Sequence, residues 1–416
     1  MVVATNPSHD RRSAVTLFSR LRTAKGQADP FPIYEKLRSM GGVSPAPWGG
    51  SIVTSFDLCD QVLRNRLWLE PDKQWREQHG SGTRWNAPSS REMSNTLPAL
   101  NPPEHTRIRQ AAGTFGRAAL QRISRTINRA TEQLLCSLSE QLQTGVADFA
   151  AAVSNKLPVT AIGDWLELPV ADWPQLRDLT HDTVFTQELL PSASELARSD
   201  AAMTELRAYF MDLVRHRRTH PGEDPVSGWI RTWDAIEPDR GKADEAVYFL
   251  TLFVLLAALE TTSSLLSTMT LHLVEQPERW DLIAARPDLI SGFVEETLRY
   301  DPPTHVISRI AAEDSVLGGV EIRKDDMVHL MVAAAHRDPA KHRDPEQFDP
   351  ERKTGHLAFS GGIHYCLGAP IARLEAQTLL HQLVTRLPRL TLARRPSWAS
   401  PRVAFRRLLY LDVAYA

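Results

Sequence analysis

Cys366 stands in a loop suited to a sulfur that does chemistry, Phe359-Ser-Gly-Gly362-Ile-His364-Tyr-Cys366-Leu-Gly368. Two glycines and an aromatic residue frame it, and a helix opens directly behind it at Ala369-Pro370, with proline where a first turn tolerates it. A helix start carries about half a positive charge and favours a thiolate. Glycines let backbone amides approach the sulfur, which tunes a metal–thiolate bond. The plainer alternative is a buried free cysteine. A second pair, Glu260 and Thr261, sits within Ala257-Ala258-Leu259-Glu260-Thr261-Thr262 in an otherwise apolar stretch. A carboxylate there needs a partner, water or a task. The plainer alternative is a back-bonded hydroxyl beside a solubilising charge.

The elements that must position these groups read as mostly helical. Pro32 to Met40, Glu104 to Gly113, Leu120 to Thr144 and Asp200 to His216 carry helical apolar spacing. Glu245 to Glu275 would be a helix of about 45 Å. Apolar residues surround its first half, so that half is expected to be buried on all sides. Strand signals are fewer: Gly50 to Thr54, a hairpin over Ser315 to Arg323, Met327 to Ala333, and a closing segment from Arg402 to Ala414. His105 and Arg109 lie at i,i+4 on one helix face, and Glu296 and Arg299 at i,i+3 on another, close enough to pair.

The Cys loop resembles the haem-binding loop of the cytochromes P-450, haem-thiolate monooxygenases, and the resemblance extends over nearly the whole chain. It implies that Cys366 is the axial thiolate of haem b, with Phe359, Gly362, His364 and Gly368 shaping the loop around it. Glu296-Thr-Leu-Arg299 matches the family's E-x-x-R helix, which pairs with an arginine in a following loop, here Arg352 in Phe348-Asp-Pro-Glu-Arg352; that role is structural. Ala257 to Thr261 resembles the oxygen-activation motif. The small pair Ala257 and Ala258 would let the helix approach the haem, and Glu260 and Thr261 would deliver protons. The family often has glycine where Ala258 stands. By the same resemblance His105, Arg109, Arg309 and His364 would meet the haem propionates. Substrate would face four regions: the loop from about Trp75 to Leu97, Val184 to Leu190, Thr304 to Ile307, and Val403 to Phe405. Trp85, Phe185, Thr304, His305, Val306 and Phe405 are the candidate contacts. The tail departs from the pattern, with Arg406-Arg407-Leu408 where Arg-Gly-Leu is common and Asp412 where proline is frequent.

Composition sets the outer bounds. In 416 residues, Lys+Arg 48 against Asp+Glu 50 gives a net charge of −2, so no global basic field recruits nucleic acid or an anionic membrane. Cys59, Cys136 and Cys366 cannot form a dense disulfide framework, which fits a reducing cytoplasm. The polar start of the chain lacks the apolar core of a secretory signal. The longest apolar run, Ala246 to Leu259, falls short of the roughly 20 residues of a spanning helix, so no membrane anchor is expected. We therefore expect one domain over residues 1–416, loose over 1–20, mainly α with minor β: the triangular cytochrome P-450 prism enclosing a haem. Its expected work is hydroxylation or epoxidation of a small organic molecule with dioxygen, in secondary metabolism. Without a G-x-G-x-x-G after a strand or a cysteine cluster, electrons should come from a separate ferredoxin and ferredoxin reductase. Phenol coupling on a carrier-bound substrate and a haem sensor without turnover are the competing expectations.

Overall fold

A computed structural model describes residues 7–80, 83–113, 117–353 and 355–416. Residues 1–6 and 81–82, which fall within two of the regions considered above, lie outside the described residues. The fold is mainly α with minor β, as expected, and its axis is the helix Arg240–Val274. At 35 residues this helix is about 52 Å long. The Asp239 carboxylate starts it by accepting from the amides of Gly241 and Lys242. Helices Leu157–Trp165, Ala193–Thr219, Pro225–Ile236 and Ala369–Arg386 pack around it.

The fully buried half of this helix is its second, not its first. Every residue from Thr262 to Val274 is buried, whereas Arg240 to Val247 includes exposed positions and Ala257 opens toward a cavity. Hydroxyl-rich sequence can be buried there because the hydroxyls bond back to the helix: Ser263 donates to the Glu260 carbonyl at 3.1 Å and Thr270 to that of Leu266 at 2.9 Å. The helix is long and apolar enough to cross a membrane, but 72% of its most apolar window is buried inside the protein.

The main sheet runs in the order Val43–Pro45, Ser51–Val53, Met327–Met331, Val306–Ala311, Trp68–Leu69. All its pairings are antiparallel except Ser51–Val53 with Met327–Met331. The strand expected to reach Ala333 stops at Met331, and Val332–Ala335 form a buried helical turn instead, since a run of alanines suits a helix better than a sheet. The tail closes small sheets: Leu408–Tyr410 pairs with Ser397–Trp398, and Asp412–Tyr415 lies between Ala147–Asp148 and Leu390–Leu392.

Residues 7–20 are not a loose arm. Pro7–Leu21 is a helix, and Ala14, Leu17, Phe18 and Leu21, at i, i+3, i+4 and i+7, are buried. Phe18 meets Trp48 edge-on, ring centroids 4.7 Å apart.

The expected ion pair forms and is buried. Arg299 reaches Glu296 through Nη2 at 2.7 Å and Nε at 2.8 Å, and Arg352 Nε reaches the same carboxylate at 3.2 Å. Arg299 also donates to the carbonyls of His336, Pro345 and Gln347, and Glu296 accepts the Asp349 amide. One helix thus clamps the long loop that leads into the Cys366 segment.

Candidate active site

The Cys366 loop is seated by its glycines. Gly362 has φ +61°, and a Cβ there would lie 2.5 Å from the Leu63 carbonyl oxygen. Only glycine lets the loop lie against helix Phe56–Arg64 in that conformation. The Cys366 amide donates to the Phe359 carbonyl at 2.9 Å, and helix Ala369–Arg386 follows, with the amides of Gly368 and Ala369 bonded to the sulfur. Burial nevertheless pushes the thiol pKa up; the two amides, Arg109 and Arg373 oppose it without prevailing. A buried thiolate here needs a further positive charge, which a metal supplies. Cys59 is buried and Cys136 exposed, and both are free.

Across a cavity of about 420 Å³, Ala257, Ala258, Glu260 and Thr261 of the central helix face Phe359, His364, Cys366 and Gly368. The Thr261 hydroxyl donates to the Ala257 carbonyl at 2.7 Å. Its lone pairs stay free to accept from water or substrate. Thr262 lines the same wall. Glu260 is not a free acid: His181 Nδ1 lies 2.6 Å from its Oε2, Arg402 pairs with Oε1, and Arg407 stands 3.6 Å from Oε2. Burial works against its charge, but Arg402, His181 and Arg407 outweigh burial and hold the carboxyl well below the usual range.

The four expected propionate contacts also line the cavity. The rings of His105 and His364 meet edge-on at 4.5 Å. His105 Nε2 is buried without a hydrogen-bond partner. Burial, then Arg309, push His364 down to about 3, and burial with Arg109 lowers His105, so both offer N–H donors rather than cations. Arg109 Nη2 donates to the Tyr365 carbonyl at 2.9 Å. Arg309 is buried and paired with Glu70, a partner with no local signal in sequence. An orphaned ring nitrogen, two arginines and an amide-capped sulfur on one cavity fit a flat anionic group carrying a metal.

Of the candidate substrate contacts, Trp85, Thr304, Val306 and Phe405 line the cavity, and a bridge between Thr304 and Phe405 fixes the tail's register. His305 does not line it. Its ring turns instead onto Tyr34 Oη at 2.6 Å and toward Asp301 at 3.7 Å, although Thr304 and Val306 on either side of it line the wall. Phe185 is also turned away, packed near Arg198 and Arg402, while its neighbours Val184 and Thr186 line the wall. The sequence reading missed Glu70, Arg76, Arg84, His181 and Arg402; the partners of Glu260 lie 79 and 142 residues from it, where no periodicity can signal them. Arg84, beside Trp85, was within reach of a local reading.

A helical prism that sets an amide-capped cysteine against a small-small-x-acid-threonine helix defines a haem-thiolate oxidoreductase. The family model "Cytochrome P450" matches residues 236–391. The biotin biosynthesis cytochrome P-450 of Bacillus subtilis (strain 168) is 30% identical over 407 residues, 96% of this chain and all of that protein. The cytochrome P-450 monooxygenase PikC of Streptomyces venezuelae is 32% identical over 380 residues, 89% of this chain and 86% of that one. Among solved structures, P450BioI in complex with hexadec-9Z-enoic acid ligated acyl carrier protein superposes with a TM-score of 0.84 at 28% identity, covering 94% of this chain and 100% of that one. The chain belongs to the cytochrome P-450 family, and it is a haem-dependent monooxygenase whose axial ligand is a cysteine thiolate.

Proposed function

We propose that this enzyme hydroxylates or epoxidises a small organic molecule in secondary metabolism, working in the cytoplasm with electrons from a separate ferredoxin and ferredoxin reductase. The observation that carries the reading is the cavity itself, where the Cys366 loop and the Ala257–Thr261 wall face one another beneath an apolar roof. Cys366 would hold a haem, with His105, Arg109, Arg309 and His364 at its propionates, and that group would supply the activation of dioxygen.

The chain's own residues set the conditions. Gly362 and the bond from the Cys366 amide to the Phe359 carbonyl fix the loop that carries the sulfur. Ala257 and Ala258 leave room above the haem plane that larger side chains would fill. The Thr261 hydroxyl holds a proton-accepting position at the cavity wall, one turn from its Ala257 partner. Glu260, tied by Arg402 and His181, orients that wall and holds charge rather than releasing protons freely.

A screen for binding-induced spin-state shifts identifies a substrate. Turnover under labelled dioxygen, with a ferredoxin and its reductase, should then place one labelled atom in the product. Unlabelled coupled products would establish phenol coupling, and absence of substrate-dependent reductant consumption would establish a sensor.

A further inference from the structure

The charged acids around the cavity already have partners. Glu70 pairs with Arg309 and Glu260 with Arg402. Glu188, behind the wall, accepts the amides of Val403, Ala404 and Phe405 at 2.8–3.1 Å. Burial pushes Glu375 up to about 8, toward its neutral form. Two guanidiniums on the wall are not so matched. Arg76 donates to the carbonyls of Pro71 and Ser90, and Arg84 Nη1 to that of Thr186 at 2.7 Å. Among the described residues neither forms an ion pair with a carboxylate.

Both stand over Trp85, Arg84 at 3.8 Å and Arg76 at 4.9 Å from the ring centroid. Burial, and for Arg84 the repulsion of Arg76, lower both pKa values to about 10, which leaves them charged. Glu70 and Asp72 support the charge of Arg76, and Glu188 that of Arg84, only from a distance, and a desolvated cation with no direct carboxylate partner is costly. Arg84 has used one of its five donors on a carbonyl and keeps the planar fork that suits a carboxylate. Beside it the wall is apolar, with Leu97, Val184, Leu189, Val306 and Phe405.

We propose that Arg84, assisted by Arg76, anchors a substrate carboxylate, so that the enzyme's substrates are amphipathic carboxylic acids with the apolar body lying toward the haem. This rests on the monooxygenase reading above. The test uses a chain-length series of ω-imidazolyl alkanoic acids and their methyl esters. The imidazole ligates haem iron and red-shifts the Soret band, so each dissociation constant is read directly, and the esters test the haem site independently of the anchor.

At the best length, the wild type should bind the acid about 10-fold or more tightly than the ester. Arg84→Gln should erase that preference and leave the ester's affinity unchanged, and Arg84→Lys should restore part of it. An acid that never outbinds its ester at any length in the wild type overturns the proposal without any variant. Equal weakening of acid and ester in Arg84→Gln overturns it too, since Arg84 would then only staple its loop to Thr186. Faster haem transfer from Arg84→Gln to apomyoglobin would assign Arg84 to a haem propionate instead. Absence of any shift with the wild-type ester would sink the haem-site reading and the anchor with it.

Discussion

Removing Glu296 should destabilise the holoprotein far more than its single position suggests. Arg299 is 1% exposed, and among the described residues its two bonds to Glu296 are its only contacts with a full opposite charge. Glu296→Ala leaves that guanidinium without a counter-charge in the interior and takes from the Asp349 amide its acceptor. Breaking a buried pair from one side costs about 3–5 kcal/mol. Unfolding entropy of about 2.1 cal/mol/K per residue amounts to about 0.9 kcal/mol/K for 416 residues. The melting temperature should therefore fall by about 3–6 °C. Arg352 would shift toward the gap without restoring a carboxylate. The assay is thermal loss of the Soret band, with Asp288→Ala as reference. Asp288 pairs with Arg286 through side chains 61% and 50% exposed, and its loss should not move the transition measurably. If Glu296→Ala and Asp288→Ala melt together, the clamp on the loop before Cys366 contributes nothing and the argument fails.

Cys366→Ser should abolish the strongly red-shifted Soret band of the reduced carbon monoxide complex, and Cys59→Ser and Cys136→Ser should keep it; retention in Cys366→Ser refutes the assignment. Thr261→Ala should still consume reductant but lose coupling, with oxygen leaving as peroxide or water. Thr251, back-bonded to Val247 in the same helix and away from the cavity wall, is the control, and equal product per reductant in both variants would remove Thr261 from proton delivery. Gly362→Ala must accommodate a Cβ against the Leu63 carbonyl at φ +61°, whereas Gly319→Ala at φ +83° meets nothing within 4 Å, so only the first should speed haem transfer to apomyoglobin. Glu375 is pushed up from 4.5 to about 8 by burial, so its protonated form favours the folded state. Stability should be greatest below pH 4.5 on this account and fall through about pH 8, by at most roughly 5 kcal/mol. Glu375→Gln should flatten that slope, and a wild type with no slope to flatten would disprove the assignment.

The groups legible in sequence were those whose spacing is local. Cys366 with its glycines, the Ala257–Thr261 run, and Glu296 with Arg299 each lie within one loop or one turn, where residue type and period constrain what neighbours what. The presence of the central helix, though not its start at Arg240, and the strand over Ser51–Val53 follow from the same local rules. Tertiary packing decided what those groups touch. His305 meets Tyr34 and Asp301 rather than the cavity, although Thr304 and Val306 on either side of it line the wall. Phe185 turns from the wall its neighbours line. Glu260 is bound by His181 and Arg402, and Arg309 by Glu70, from distant parts of the chain. Such partners are chosen by desolvation: a charge forced into the interior by the helix that carries it must be met by whichever opposite charge the fold brings near, and a linear pattern does not encode that proximity.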